Sequence, residues 1–299
     1  MNYPKGLIKG NVKAGEPLER HTSFKIGGPA ALWAEPKDIA ELKKIIKFSR
    51  KNRIRTFIVG GGTNILASDR GFKGIVLHLG SPFFKNITMR GTTVMVGAGY
   101  SVPALVRLCC DKGLSGLESL IGIPGTVGGA VYMNAGGWYS PLYKNIGDYI
   151  ISLKVMDYEG NIKILKRGDI KLGYRRSNLS PYIILAAALG LGREDSSALT
   201  SRCSKFLKMK REKQVLDMPS AGCVFKNPDN SQFTTGQMID MLGLKGARMG
   251  GAEISRRHAN FIINKKGASC NDVLKLIGLI SKKVMKNYKI PLELEIKII

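Results

Sequence analysis

Acidic residues are scarce in this chain. Its 299 residues include 22 Asp and Glu against 47 Lys and Arg, a formal net charge of +25. Such an excess makes nucleic acid the first partner to weigh. The basic residues are nevertheless spread along the sequence, and the denser stretches at 43–55, 202–213 and 282–289 read as solvated helix faces. None interleaves several aromatics, as a single-strand binding platform does. A dedicated nucleic-acid binder is therefore disfavoured, and a basic surface also suits a doubly anionic small molecule.

Paired cysteines and long apolar runs are missing too. Cys109, Cys110, Cys203, Cys223 and Cys270 form no CxxC pair and no zinc spacing, and their number is odd. His21 and His78 have no metal-ligand spacing with Asp, Glu or Cys, so no metal is expected. Apolar runs such as 182–189 fall far short of the roughly 20 residues that span a bilayer. The polar opening at 1–13 lacks the charged-then-apolar order of a leader. A cytoplasmic, reduced, soluble protein is expected, with no membrane span.

What is abundant is glycine, 36 residues concentrated in a few short stretches. Around them, 36–50 reads as a helix with Asp38 near its start and Ile39, Leu42, Ile45 and Ile46 on one face. Strands are expected at 54–59, 74–79, 92–96 and 182–189. A helix over 102–112 stops at Gly113, and a hairpin over 150–165 turns at Glu159, Gly160 and Asn161. A basic helix over 198–214 reads as a connector, and one more clear helix starts near Asn271 as N-cap. The mixture predicts an α+β fold divided near residue 200.

Two glycine loops carry the chemical signal. IVGGGTN at 58–64 follows a predicted strand, where successive N–H groups can turn inward as a nest for phosphate, with Thr63 and Asn64 adding side-chain donors. The GxGxxG fingerprint is not matched cleanly, no helix is evident after it, and there is no Walker lysine, so a tight turn between strands is the competing reading. The stretch 113–136 holds seven glycines and Pro124. Ordering so long a loop is costly unless something fills it. Such a loop can wrap a flat ring and a pyrophosphate; the alternative is a packed Ω-loop.

These loops, with HTSFKIGGPA at 21–30, GYRRS at 173–177, SAGCVFKNP at 220–228 and GGAEISRRHANFIIN at 250–264, resemble the UDP-N-acetylenolpyruvoylglucosamine reductases, in the family's order and over nearly the whole chain. The resemblance implies a two-part FAD-binding domain of the vanillyl-alcohol-oxidase type over 1–200, its subdomains meeting near 85. A smaller α+β substrate-binding domain follows over 201–299. It further implies the short form of the enzyme, which lacks an inserted substrate loop. Gly60, Gly61, Gly62, Thr63, Asn64 and Leu66 are then expected at the FAD pyrophosphate. Gly122, Ile123, Pro124, Gly125, Thr126, Gly128 and Gly129 are expected to line the flavin and adenine side.

The implied reaction is reduction of a vinyl ether bearing a carboxylate on a UDP-sugar, with NADPH as reductant and FAD carrying the hydride. Negative charge then develops beside the carboxylate and needs a cationic partner and a proton. Arg175 is the implied charge clamp, with Arg176 facing the other way on a strand; the competing reading is a surface arginine. Glu295, in LELEIKI at 292–298, matches the family's catalytic glutamate, and Glu293 would share its strand face. Cys223 stands where the family usually has the proton-donating serine. A thiol is a much stronger acid than an alkyl hydroxyl and stays largely protonated at neutral pH, so it can fill that role. Asn227, Lys226 and His258 are the substrate-binding candidates, although a lone histidine such as His258 is more often a satisfied structural one. A monomer is expected. The alternatives are another oxidoreductase of the same flavin fold and a basic nucleic-acid-binding module.

Overall fold

The computed structural model describes residues 6, 8–136, 144–229 and 231–299. Its chain forms two compact units. The first comprises Met1–Ala14, Leu32–Gly61 and Gly74–Lys210; the second comprises Gly15–Ala31, Gly62–Lys73 and Arg211–Ile299. A single cut at residue 200 does not describe these units, because the second one takes up two N-terminal segments and begins its long stretch at Arg211.

A four-stranded sheet has Thr56–Val59 parallel to Phe72–His78, preceded in sheet order by Asn11–Pro17 and Pro29–Glu35. Helix α1, Ile39–Lys51, buries Leu42, Ile45 and Ile46, and Asp38 caps it by accepting from the Glu41 N–H at 2.9 Å. A second, antiparallel sheet of five strands begins at Ile87. At its centre Tyr182–Gly190 pairs with both Ile150–Asp157 and Thr93–Gly97, and Ile162–Lys166 completes the expected hairpin. Gly160 sits at φ +88° in that turn, a conformation glycine adopts without the Cβ penalty. Helix α2, Val102–Asp111, ends before Gly113 at φ +65°.

The stretch 113–136 is less loop-like than its composition suggests. It contains helix α3, Val127–Tyr132, capped by Thr126, whose Oγ1 accepts from the Gly129 N–H at 3.4 Å. Glycine at 128 conceals the helix from a propensity reading, yet it has a packing reason: a Cβ there would meet the Ala98 Cβ at 2.9 Å. Helix α4, Ser196–Lys213, is likewise no mere connector. Leu199, Cys203 and Phe206 form a stripe within the first unit's core, and Lys210 continues it, 7% exposed.

The second unit is built on helix α6, Cys270–Tyr288, preceded in sequence by the short helix α5, Thr235–Met241, which composition did not announce. The expected stripe of Val273, Leu276, Ile277, Ile280 and Val284 is buried. The N-cap is Ser269 and not Asn271: Ser269 and Asp272 form a reciprocal capping box. Asp69, remote in sequence, adds a second cap. Its carboxylate accepts from the Cys270 and Asn271 N–H groups at 2.7 and 3.1 Å. Beside α6, Arg248–Met249, Ala252–Ile254 and Ile262–Asn264 form a three-stranded antiparallel sheet, and the C-terminal Lys297–Ile298 runs parallel to Ile65–Leu66.

Both of the Asp69 bonds satisfy otherwise orphaned donors at a helix start. Asp69→Ala is expected to lower stability by about 1–2 kcal/mol. Asp69→Asn, keeping one acceptor oxygen, should lose less. Calorimetric or urea unfolding of the two variants checks the order.

Candidate active site

In the first unit, the two glycine loops meet. Gly60 faces Thr126 so closely that a Cβ on it would lie 2.4 Å from Thr126 Oγ1. Thr126 is also bridged to Ser101, and the Gly125 carbonyl, next to a φ of +111°, accepts from the Val102 N–H at 3.0 Å. The loop's far end is tied as well: Lys210 Nζ donates to the Gly122 carbonyl. These contacts hold Gly125, Thr126, Gly128 and Gly129 as a fixed backbone surface, with Gly129 exposed. Glycine at 60 is what the Thr126 contact itself requires, and the exposed Gly129 leaves that part of the surface as bare backbone.

Arg175 lies in the same unit, but not on a strand. Leu172–Gly173 and Arg176–Ser177 pair antiparallel, and Tyr174 and Arg175 form the two-residue turn between them. Arg175 has φ +53°, a left-handed conformation that a non-glycine residue keeps only when its surroundings enforce it. Three hydrogen bonds do so, all to the end of α3 or just beyond. Asn134 Nδ2 donates to the Gly173 carbonyl at 3.0 Å, and Ser177 Oγ donates to the Tyr132 carbonyl at 2.7 Å. Arg175 Nη2 donates to the Gly136 carbonyl at 3.2 Å. The guanidinium also lies over the Tyr174 ring, 5.2 Å from its centroid. Arg175 is half-buried and Arg176 exposed.

The second unit gathers most of the remaining candidates. The segment carrying Cys223 runs antiparallel to the one carrying Glu295. Phe225 bridges Leu294, the Glu295 N–H donates to the Val224 carbonyl at 2.8 Å, and the Lys226 N–H donates to the Glu293 carbonyl at 2.9 Å. Cys223 and Glu295 are thus on directly bonded neighbours, one residue out of register. Asn64 joins them: its Nδ2 donates to the Glu295 carbonyl at 3.0 Å. Gly62, at φ +64°, is pressed so near the His21 carbonyl that a Cβ would overlap it, and its own carbonyl accepts from the Ser23 N–H at 3.1 Å. Ser23 Oγ in turn donates to the Ser220 carbonyl at 2.6 Å. Leu66 is fully buried in this unit's core, so its place in the sequence motif reflects packing.

The two glutamates are distinguished by their surroundings. They flank the bridged Leu294, and both lie on backbone bonded to the Cys223 segment. Glu293 is 72% exposed and bonded to Lys226 Nζ at 2.5 Å, whereas Glu295 is half-buried. Lys226 is thereby engaged in an ion pair. Asn227 Oδ1 accepts from the Thr235 N–H at 3.0 Å, at the start of α5. His258 Nδ1 accepts from the Asn260 N–H at 3.3 Å and its ring lies 4.7 Å from that of Phe261, which places the neutral form's proton on Nε2. Burial, reinforced by the positive charge of Lys245, holds its pKa below the ordinary value.

Residues 214–299 match the profile described as UDP-N-acetylenolpyruvoylglucosamine reductase, C-terminal domain, and residues 30–166 match an FAD binding domain. The UDP-N-acetylenolpyruvoylglucosamine reductase of Syntrophomonas wolfei is 39% identical over 96% of this chain and 95% of its own length. The chain belongs to the UDP-N-acetylenolpyruvoylglucosamine reductase family. The reductase of Caldanaerobacter subterraneus is also 39% identical, over 98% of this chain and 95% of its own. The crystal structure of the Thermus caldophilus reductase has a TM-score of 0.82 at 32% identity, covering 97% of this chain and 99% of that one. Like the family's profiles, the chain combines an FAD-binding part with an α+β C-terminal part. Among the described residues, no helix is long and apolar enough to cross a membrane, and no His, Cys, Asp and Glu cluster of metal-binding size occurs.

Sequence reasoning did not single out Ser23, Asn134 or Asn260 as organisers in this reductase. Asn260 is buried and grips both polar groups of the Phe225 backbone, Oδ1 accepting at 3.0 Å and Nδ2 donating at 2.8 Å. Ser23 and Asn260 lay inside motifs already noticed; Asn134 ends the second glycine loop. Their amide and hydroxyl chemistry was visible, but their partners are distant in the chain.

The depressed His258 pKa has a stability consequence. Below the unfolded value of roughly 6.5 the unfolded chain takes up the proton more readily than the folded one. The contribution is therefore complete above that pH and is lost as the pH falls through the folded-state value. His258→Gln is expected to flatten the decline in urea midpoint between pH 7 and 5, and a profile identical to that of the unchanged protein would show that another group dominates.

Proposed function

We propose that the chain is the FAD-dependent, NADPH-consuming reductase that converts UDP-N-acetylglucosamine enolpyruvate to UDP-N-acetylmuramate in peptidoglycan precursor synthesis. The observation that carries this reading is 39% identity to named reductases over 96–98% of this chain and 95% of theirs. Under this reading the first unit, of vanillyl-alcohol-oxidase type, holds most of the cofactor and residues 211–299 recognise the substrate. The protein works as a monomer in the cytoplasm.

FAD, when bound, supplies the hydride, renewed from NADPH. Gly60, Gly61, Gly62, Thr63 and Asn64 are assigned to its pyrophosphate. Gly122, Ile123, Pro124, Gly125, Thr126, Gly128 and Gly129 line its rings; the four glycines bring backbone without a Cβ, and every residue of the set except Pro124 brings an N–H donor. Arg175 binds the enolpyruvyl carboxylate through its planar fork and offsets the charge that develops next to it. Cys223 delivers the proton from Sγ to the carbon bearing the carboxylate. Glu295 orients the charge clamp or shares the proton with the developing enol. Asn227 offers an amide NH₂ whose Oδ1 is already engaged, Lys226 a cation partly neutralised by Glu293, and His258 an Nε2–H toward the substrate.

Purified protein is expected to be yellow and to turn over NADPH catalytically, beyond one equivalent per flavin, only when the enolpyruvyl-UDP-sugar is present. Stoichiometric FAD without such turnover would favour another oxidoreductase of the same fold; a colourless protein that binds DNA in a salt-sensitive way would favour the nucleic-acid reading.

Cys223→Ala is expected to slow substrate-dependent reoxidation of the flavin by about 10²-fold or more while leaving its reduction by NADPH within a few-fold. Cys223→Ser should retain substantial turnover. Stopped-flow measurement of the two half-reactions decides, and equal losses in both would remove Cys223 from the proton transfer.

Arg175→Lys substitutes a point charge for a bidentate fork, at a backbone position already under strain. A fall in kcat/KM of roughly 10- to 100-fold is expected. Near-normal steady-state kinetics would show that the clamp is elsewhere.

A further inference from the structure

Two cysteines that are 93 residues apart in sequence touch inside the first unit. Cys110, on the last turn of α2, and Cys203, on α4, have their Sγ atoms 3.4 Å apart. They share a thiol hydrogen bond but no disulfide, and each is buried, at 3% and 7% exposure. A disulfide needs the sulfurs to approach to about 2.05 Å. The reaction described above uses neither residue.

We propose that Cys110 and Cys203 form a reversible disulfide when the protein meets a hydroperoxide. The surroundings assign the order of events. Arg202 flanks Cys203 in sequence and is bonded to Glu118 Oε1 at 2.9 Å, and the Glu118 carbonyl lies 4.0 Å from Cys203 Sγ. The thiol hydrogen bond from Cys110 is the main factor lowering the Cys203 pKa, against the opposing effects of burial and Glu118, with Arg202 and Arg107 assisting. The same bond, followed by burial, pushes Cys110 up. Neighbouring Cys109 is pushed up to about 12 by burial and is the poorer nucleophile.

Cys203 thiolate therefore attacks one peroxide oxygen. The O–O bond breaks, hydroxide leaves and takes up a proton as water, and Cys203 becomes a sulfenic acid. Cys110 sulfur then attacks the Cys203 sulfur, the S–O bond breaks, and the departing hydroxide takes the Cys110 proton as a second water. Two thiols lose two electrons in all, and the peroxide gains them. A dithiol reductant reverses the change. The bond closes a covalent ring over residues 110–203, containing the whole glycine loop 113–136 and the Arg175 turn. It also pins α4, whose Lys210 holds the Gly122 carbonyl. Disulfides in a reducing compartment are mostly redox-sensing devices of this kind.

The test treats the full-length flavin-loaded protein with hydrogen peroxide, then unfolds it in iodoacetamide. Five alkylatable thiols are expected to become three. Peptide mapping should find Cys110 linked to Cys203, and the Tm should rise by on the order of 5 °C, reversed by dithiothreitol. Cys203→Ser should abolish the link. Cys110→Ser should leave a sulfenic acid on Cys203 that dimedone traps, which a purely structural role for the pair does not produce. Retention of all five thiols, linkage through Cys109, or dimedone on Cys110 in the Cys203→Ser protein while Cys203 goes unlabelled in Cys110→Ser would each overturn the proposal. Folding of both variants is verified by their flavin absorbance.

Discussion

The second unit depends on residues 62–69 lying along the C-terminal segment. Asn64 donates to the Glu295 carbonyl and accepts from the Lys297 N–H at its own carbonyl. The strand Ile65–Leu66 runs parallel to Lys297–Ile298, and the Ser68 N–H donates to the Ile299 carbonyl at 2.7 Å. Leu66 contributes a fully buried side chain and Asp69 caps α6. Without this segment, the C-terminal strand would lose its ladder partner and α6 two N-terminal acceptors, leaving buried polar groups unmatched. The same residues continue the first glycine loop. A segment required for folding thus also fixes Gly62, Thr63 and Asn64 beside the backbone of Glu295.

The scarcity of carboxylates acquires a meaning from where they sit. Glu41 accepts from the Lys9, Gly10 and Lys37 N–H groups, tying the N-terminal strand to α1. Glu253, 3% exposed, is hydrogen-bonded by Arg248 and Lys265; burial works to raise its pKa, and those two bonds more than offset it. Glu118 holds Arg202 and the Gly116 N–H. Several of the few acidic groups are therefore engaged at joints inside the fold, which leaves the excess of Lys and Arg for the surface. A surface of that sign attracts polyanionic small molecules as readily as nucleic acid.

Cysteine at 223 alters the acid without altering its backbone setting. The residue follows Gly222 at φ +78°, is bridged to Phe261, and sits against Val215 and Ile263. These features depend on main-chain geometry and neighbouring apolar side chains, so a hydroxyl or a thiol can occupy the same point. Arg175 differs in kind. Its turn is held in a left-handed conformation by bonds from Asn134 and Ser177, so the position of its guanidinium is bound to the end of α3.

Helices α1 and α6, the 150–166 hairpin and the central Tyr182–Gly190 strand were legible because each has a strong local period, a capping residue or a turn glycine. Their boundaries shift by only a few residues in the structure. Gly128 and Gly129 conceal helix α3, and lysines and arginines interrupt the buried stripe of α4, so that it reads as a connector. The motifs likewise announced a flavin-binding reductase from residue identity and order. Local preference acts over a turn or two, so the amino-acid sequence by itself determined those elements and the chemistry of the groups they carry. Tertiary structure alone decided that residues 15–31 and 62–73 join the C-terminal unit, that Arg175 is a turn residue, that Glu293 is taken by Lys226, and that Cys110 meets Cys203. Each is a contact across tens to hundreds of residues, selected by which buried groups must be matched when the chain closes.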